Sequence, residues 1–568
     1  MKERIMMKNK FDIINIFLIL FLLVVGFIFT YGHITSIYSD IGREFYIPWQ
    51  MNEGNVLYKD IFNVYFPLGY QLNAFLLKIF SNKLSVFYFA GFVVSYLSLI
   101  AIYFISKHFT NRLCSLLAVF LVIVSCVFYQ SISNYIVPYS YSLLYAMCAF
   151  LWSFLMLILY LKNEKFKYFL LSCFLMGISF ASKYEYCLFL FVIIFVAIYK
   201  KIEIRKCLLS VVSFLIVPLF SIFLLFIQGV SLEDIYKSAK YMIELSDSNS
   251  VKYFYSYTGF IPSVPSILRS LYCFIETLIF AGIFFVIPYS VFKYLKKFDL
   301  KIQIITILVL LFIILNVLKN IFFVNISMHF VFMGYLSVLI FLLSLKKKNI
   351  LFSILCISAL LSSVKVIGSI ALELYGTFFL PIFIVIIVTL VYSLRDKKEI
   401  YISLLFVLGS FIYLYLNMDI IQILKYKENK ITTLNNEAIY TNNSYFSERY
   451  NKIISYINEK TSTNDTVLVL PEGVILNYLT QRKSDNFYYY LIPPNVEIFS
   501  QNSIINNLQQ ELPDYIIVFN NKYNWYNTAS FTTTFGSKIQ GFINNNYVLE
   551  EDVSSEYDKI YKLKGKNK

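Results

Sequence analysis

The sequence is short of the residues that build metal centres, disulfide frameworks and nucleotide sites. It has three histidines among 568 residues, His33, His108 and His329, and they are scattered. Its eight cysteines (114, 126, 148, 173, 187, 207, 273 and 356) all lie in or beside apolar runs, and none falls in the polar C-terminal part. No CxxC or Cys/His spacing occurs, which excludes a zinc framework and argues against disulfide scaffolding; buried apolar packing is the expected role of the thiols. There is no GxxxxGK[ST] and no GxGxxG, so a nucleotide-cradling loop is not expected. A DxD-like metal motif of nucleotide-sugar enzymes is likewise missing.

Apolar and aromatic residues are abundant. Hydrophobic residues make up 58% and aromatic residues 19% of the chain, above the roughly 45–50% apolar content of soluble domains. The excess lies in long runs. About thirteen membrane spans are expected, at 11–31, 85–105, 113–129, 139–161, 168–182, 186–199, 207–228, 268–292, 302–318, 328–345, 350–364, 376–394 and 400–417. The fifth and sixth are short, and form either a tight pair around Ser182–Glu185 or a partly re-entrant segment. The first, from Phe11, is too long for the apolar part of a signal peptide and lacks a small-residue cleavage site; it is read as an uncleaved span.

The net charge of +15 is placed as a membrane protein places it, not as a nucleic-acid binder would. Lysines and arginines fill the connectors at 107–112, 162–167, 200–206, 293–301, 346–348 and 395–398, and the N-terminus. That side is therefore expected to be cytoplasmic, facing anionic headgroups. The loops 32–84, 130–138, 183–185, 229–267, 319–327 and 365–375 then lie outside. An odd span count puts the C-terminus outside too.

Two regions follow: a membrane module, 1–418, and a polar extracytoplasmic α/β domain, 419–568. In the latter, helical spacing over Ser444–Lys460 and Ile504–Leu512 alternates with strands at Thr466–Leu470 and Tyr515–Phe519, so a partly parallel sheet is expected. Pro471-Glu472-Gly473 after the first strand is a weak motif. The loop 229–267 carries an amphipathic pattern from Leu232 to Glu244, then aromatics punctuated by proline. It is either a membrane-resting helix or a lid.

The chemistry is expected in the first outer loop. Between Tyr38 and Tyr70 it carries Asp40, Arg43, Glu44, Glu53, Lys59 and Asp60. Asp40 and Glu44, four apart, share a face if helical. They supply either a general base with a partner or a cation site; alternatively, Ser39 or Asp40 caps a short interfacial helix. Lys183-Tyr184-Glu185 forms a second charged cluster where charge is costly, and is either functional or an interfacial ion pair. Lys365 near an outer span end is either a phosphate contact or a snorkelling lysine.

The pattern Asp40-x-Gly42-Arg43-Glu44, Gly54-x-x-Leu57-Tyr58-x-Asp60 and Pro67-x-x-Tyr70 resembles the first outer loop of GT-C membrane glycosyltransferases. The bacterial branch related to the protein O-mannosyltransferases and the lipid A aminoarabinose transferase is the most similar. The resemblance implies a polytopic helical enzyme of the cytoplasmic membrane of a bacterium. It would move a sugar, with inversion, from a polyprenyl-phosphate donor to a lipid, glycan or protein acceptor on the outer face. Asp40 matches the catalytic carboxylate, with Glu44 as its partner. Arg43, Lys183 and Lys365 would meet the donor phosphate, and Glu53, Tyr58, Asp60, Tyr70, Tyr184 and Glu185 would line the substrate pocket. Tyr184 stands where the family's lysine turn usually has glycine. The second outer loop carries Asn134 where many relatives have an acid, so neither a metal nor another cofactor is expected. A transporter of lipid-linked saccharides, or a surface-glycan polymerase or ligase, is the alternative.

Overall fold

The computed structural model describes residues 2–34, 40–128, 134–261, 349–364, 372–393 and 429–565 except 434–436 and 442, with scattered positions between 263 and 344. The spans expected at 268–292, 302–318 and 328–345 lie mostly, and 400–417 and Lys365 wholly, outside the described residues, so the count of thirteen is not decided.

The helices follow the apolar runs closely. They are α1 (Lys2–Thr30), α2 (Asp40–Asn52), α3 (Leu68–Phe80), α4 (Leu84–Phe109), α5 (Arg112–Cys126), α6 (Tyr141–Asn163), α7 (Phe166–Ser182), α8 (Phe189–Tyr199), α9 (Ile204–Ile227), α10 (Leu232–Asp247), α11 (Asn249–Thr258), α12 (Ile350–Ser363) and α13 (Leu372–Tyr392). Among the described residues, four apolar helices, Phe11–Thr30, Leu84–Phe109, Tyr141–Asn163 and Ile204–Ile227, are long enough to cross a membrane. At 1.5 Å per residue, the 17 residues of α7 reach about 26 Å and the 11 of α8 about 17 Å, against a hydrocarbon core of about 30 Å. Helix α8 is therefore too short to cross by itself. A single 3₁₀ turn, Tyr184–Tyr186, joins the two.

Ion pairs mark one end of this bundle. Asp12 on α1 meets Lys107 of α4 at 2.5 Å and Arg112 of α5 at 2.9 Å. Lys162 lies 3.0 Å from His108, and Lys200 pairs with Glu164. The basic connectors at 107–112, 162–167 and 200–206 thus gather together at the end where α1 begins. At the opposite end the connector 134–140 packs against α4 with little clearance. A Cβ on Gly91 would stand 2.1 Å from the carbonyl oxygen of Ile136, and Ser95 donates to the carbonyl of Tyr135. Asn134, in the place of the missing acid, holds this connector by donating to Val127 and accepting from the N–H of Ile136.

The C-terminal part contains β1 (Lys430–Thr432), β2 (Ala438–Tyr440), α14 (Ser444–Lys460), β3 (Val467–Leu470), α15 (Ile475–Thr480), α16 (Pro493–Phe499), α17 (Gln501–Gln510), β4 (Tyr515–Phe519), β5 (Lys522–Tyr523), β6 (Thr528–Ser530), α18 (Ser537–Asn546), β7 (Tyr547–Leu549) and β8 (Asp558–Leu563). Strands β3 and β4 pair in parallel, β8 and β7 extend the sheet antiparallel, and the order is β3-β4-β8-β7. Every residue of β3 and β4 is buried, the mark of strands covered on both faces.

Close packing fastens this part to the first outer loop. Gly42 admits the backbone of α15, since a Cβ there would lie 3.1 Å from the nitrogen of Ile475. Trp49 and Tyr478 meet edge to face, and the Tyr489 hydroxyl donates to the carbonyl of Phe62 at 3.0 Å. Glu437 accepts from the first free N–H groups of α4, at Leu84 and Ser85, where a carboxylate also meets the positive end of the helix dipole.

Candidate active site

Helix α2 begins at Asp40, so the carboxylate stands beside unbonded N–H groups of a first turn. One turn on, Arg43 Nη2 donates to Asp40 Oδ1 at 2.6 Å. The guanidinium is also sandwiched between rings, its carbon 4.6 Å from the centre of Tyr490 and 5.2 Å from that of Tyr65. Stacking of this kind adds about 0.5–2 kcal/mol and fixes the plane of the fork. Tyr490 is close enough to donate to Asp40 Oδ1 at 3.5 Å. Asp40 keeps 43% of its side chain exposed, while Arg43 keeps 13%.

Both residues open on a cleft of about 650 Å³ at the junction of the first outer loop, the connectors, α10–α11 and the C-terminal part. Tyr65 belongs to the first loop, Tyr139 to the second connector and Tyr184 to the α7–α8 turn. Met242, Leu245, Phe254 and Tyr255 come from α10 and α11, and Glu472, Tyr490, Trp525 and Tyr526 from the C-terminal part. The amphipathic loop is thus a wall of the cleft. Tyr241 packs against Phe62 and Phe499, Glu497 caps α11 by accepting from the N–H groups of Asn249 and Ser250, and Phe254 meets Tyr526 at 5.6 Å.

The remaining residues expected in the site divide into three sets. Tyr184 lines the cleft. Glu44, Tyr70, Lys183 and Glu185 form a buried layer behind it. Glu44 accepts from the N–H of Tyr141 at 2.9 Å and the hydroxyl of Tyr70 at 3.4 Å, so it ties α2 to α3 and to the start of α6. Burial pushes its carboxyl up to about 7, against the pull of Lys183, the Tyr141 N–H and Arg43. Its hydrogen bonds run to these tyrosines, away from Asp40, because one helical turn carries it from the cleft into the packed interior. Lys183 pairs with Glu185 at 3.7 Å and lies under the rings of Tyr65 and Tyr139, 5.2 and 5.7 Å from their centres. Both the functional and the ion-pair readings of this cluster therefore have a physical counterpart.

Glu53, Tyr58 and Asp60 sit apart from the cleft. Glu53 and Asp60 are exposed, and Asp60 accepts the N–H of Val56 across a turn. Tyr58 has a φ of 71°, and its hydroxyl donates to the carbonyl of Tyr65 at 2.6 Å. These residues shape the loop and hold Tyr65 in place.

Glu472 lines the cleft although it lies far along the chain from Asp40. It is 5% exposed, and its Oε1 accepts from the Tyr523 hydroxyl at 2.8 Å. Burial pushes its carboxyl up to about 8, with Asp40 adding to the rise and Tyr523 and Arg43 opposing it. The only sequence signal was an acid in a turn directly after a buried strand. Among the described residues no group of three or more His, Cys, Asp or Glu side chains is gathered as a metal would need.

The described helices thus form a multi-span module with the cleft on the side away from the basic connectors at 107–112, 162–167 and 200–206. Residues 67–226 match the family model described as dolichyl-phosphate-mannose-protein mannosyltransferase. The matched stretch covers α3 to α9 and begins after Asp40. Among curated proteins, none matches the sequence. Among solved structures, the oligosaccharyltransferase of Archaeoglobus fulgidus is similar at 10% identity. Its apo form gives a TM-score of 0.47 over 88% of this chain and 69% of that one. Its complex with zinc and sulfate gives 0.47 over 88% and 68%, and its form tethered to an acceptor peptide containing the NVT sequon gives 0.45 over 97% and 74%. At that distance no residue role passes from that enzyme to this chain.

Proposed function

We propose that this protein moves a sugar from a polyprenyl-phosphate donor to an acceptor hydroxyl at the outer face of a bacterial cytoplasmic membrane, with inversion. The N-terminus is cytoplasmic and the α/β domain, 419–568, lies outside. The observation that supports this reading is Asp40: a half-exposed carboxylate held by Arg43 at the wall of a cleft, in a chain whose residues 67–226 match the family model of the dolichyl-phosphate-mannose-protein mannosyltransferases.

In this reading Asp40 is the general base. It takes the proton of the acceptor hydroxyl as that oxygen attacks the anomeric carbon from the face opposite the phosphate. The bond from the anomeric carbon to the phosphate oxygen breaks, and its electron pair leaves with the lipid phosphate. Arg43 presents its remaining N–H groups to the developing negative charge, and Lys183 adds positive field from behind the aromatic wall. The lipid phosphate is a ready leaving group, so the enzyme's work is positioning, deprotonation and charge stabilisation. Neither a cofactor nor a resident metal is assigned a step.

The test is incubation of the purified protein with a panel of polyprenyl-phosphate sugars, following donor consumption and release of the lipid phosphate. Donor that crosses a proteoliposome bilayer unchanged, with no lipid phosphate formed, would replace the enzyme by the transporter.

A further inference from the structure

The C-terminal part contributes a carboxyl to the cleft, and that carboxyl has a particular surrounding. Glu472 is anchored through Oε1 by the hydroxyl of Tyr523, and Tyr490 lines the cleft with it. Tyr490 reaches Asp40. Tyr526 stands within the electrostatic reach of both acids, and Trp525, 51% exposed, stands at the rim.

The charges lining this cleft are Asp40, Glu472, Arg43 and Lys522. Arg43 is engaged by Asp40 on the far wall, and Lys522 is exposed. A phosphate placed against Glu472 would face two acids. An isoprenoid tail would strip water from a carboxyl and several phenol hydroxyls without offering them a hydrogen bond, at a cost of about 1–3 kcal/mol for each polar group left unsatisfied. A neutral ring bearing several hydroxyls fits. Its hydroxyls can donate to and accept from a carboxyl and tyrosyl oxygens, and its C–H face can lie on an aromatic ring.

We propose that Glu472, with Tyr490, Tyr526 and Trp525, forms a sugar-ring subsite opposite Asp40, so that the C-terminal part selects the saccharide that reacts. The assignment rests on the glycosyltransferase reading above. The ring belongs to either the donor sugar or a saccharide acceptor, and the chemistry of the subsite is the same for both. The elevated proton affinity of Glu472 is consistent with it, since a carboxyl that keeps its proton near neutrality both donates to and accepts from hydroxyls.

The test uses the full-length protein in detergent or nanodiscs. Two probes are bound to it: undecaprenyl phosphate without sugar, and the polyprenyl-phosphate hexose consumed in the panel. Glu472→Leu keeps roughly the volume of the side chain but removes its donor and acceptor atoms. It should leave the Kd for undecaprenyl phosphate within twofold and weaken the sugar-bearing donor at least tenfold, which places the donor ring in the subsite. If instead donor binding is unchanged and the KM for a saccharide acceptor rises tenfold, the ring is the acceptor's. Trp525→Ala, at an exposed position where folding is not at risk, should weaken the same ligand. Unchanged constants for both ligands in both variants, with Asp40→Asn inactive, overturn the subsite and leave the enzyme reading standing. If Asp40→Asn turns over donor like the wild type, the placement of the reaction centre fails, and the subsite opposite it fails too.

Discussion

Arg43 grips Asp40 through a 2.6 Å ion pair within a single helical turn while its guanidinium plane is clamped by Tyr490 from one part of the chain and Tyr65 from another. The carboxylate of α2 is thereby held by a cation that the rest of the fold keeps from moving. In our reading this makes the pair the centre of the reaction.

Asp40→Asn should abolish transfer while leaving donor binding and expression near wild type. The amide keeps the shape but cannot accept the proton of the acceptor. Loss of a general base costs roughly 10²–10⁴-fold in rate. Single-turnover donor consumption measures it; a variant within a few-fold of wild type would move the base elsewhere.

Arg43→Lys keeps the charge but loses the planar fork and its stacking between Tyr65 and Tyr490. Transfer should fall by at least about tenfold, as the loss of one charge-assisted hydrogen bond implies. Full activity in this variant would show that a point charge suffices and that the fork is not used.

Glu44 governs a pH dependence of stability. Its carboxyl in the folded protein, at about 7, lies above the ordinary 4.5 because of burial, so the folded state holds the proton more tightly than the unfolded state. This contribution is complete below about pH 4.5 and is lost as the pH rises through about 7. Glu472 is shifted in the same direction, so the informative quantity is the difference between wild type and Glu44→Gln. That difference in Tm should change steadily between these two pH values and be flat above them. A difference independent of pH would show that Glu44 is ionised throughout.

Gly91→Ala should destabilise the protein, because the new Cβ meets a backbone carbonyl at 2.1 Å and the connector 134–140 must move. Overpacking of this kind costs about 1–3 kcal/mol. A lower Tm in the same detergent checks it, and Tyr139, carried by that connector, should make the lost activity exceed the lost stability. An unchanged Tm would mean that the connector yields freely.

A reporter active only outside the cytoplasm, fused after Leu563, should give signal. The basic connectors at 107–112, 162–167 and 200–206 gather at one end of the described bundle and the cleft, with the C-terminal part, lies at the other. Silence from this fusion, with signal from a cytoplasmic reporter at the same position, would reverse the orientation.

The sequence by itself determined what depends on neighbours in the chain. Apolar runs of sufficient length must become helices in a bilayer, since backbone polar groups there find no water. Accordingly Leu84–Phe109, Tyr141–Asn163 and Ile204–Ile227 lie where the runs lie. Helix α14 coincides with its apolar periodicity, and β3 and β4 with their short β-branched runs. Asp40 was legible because an acid just past a span is conspicuous. Which acids share the cleft was decided only by tertiary structure. Glu44 and Glu53 are close to Asp40 in sequence, yet the turn of α2 sends one into the interior and the chain after it leaves the other exposed. Glu472 lines the same cleft as Asp40 because α15 packs on Gly42 and Gly473, at a φ of +120°, turns the chain directly after it. Lys183 was visible as a costly charge, but only the packing of Tyr65 and Tyr139 placed it behind the wall. Periodicity and hydropathy record how a segment meets its solvent; they carry no record of which distant segment it will meet, because that depends on the summed packing of surfaces from the whole chain.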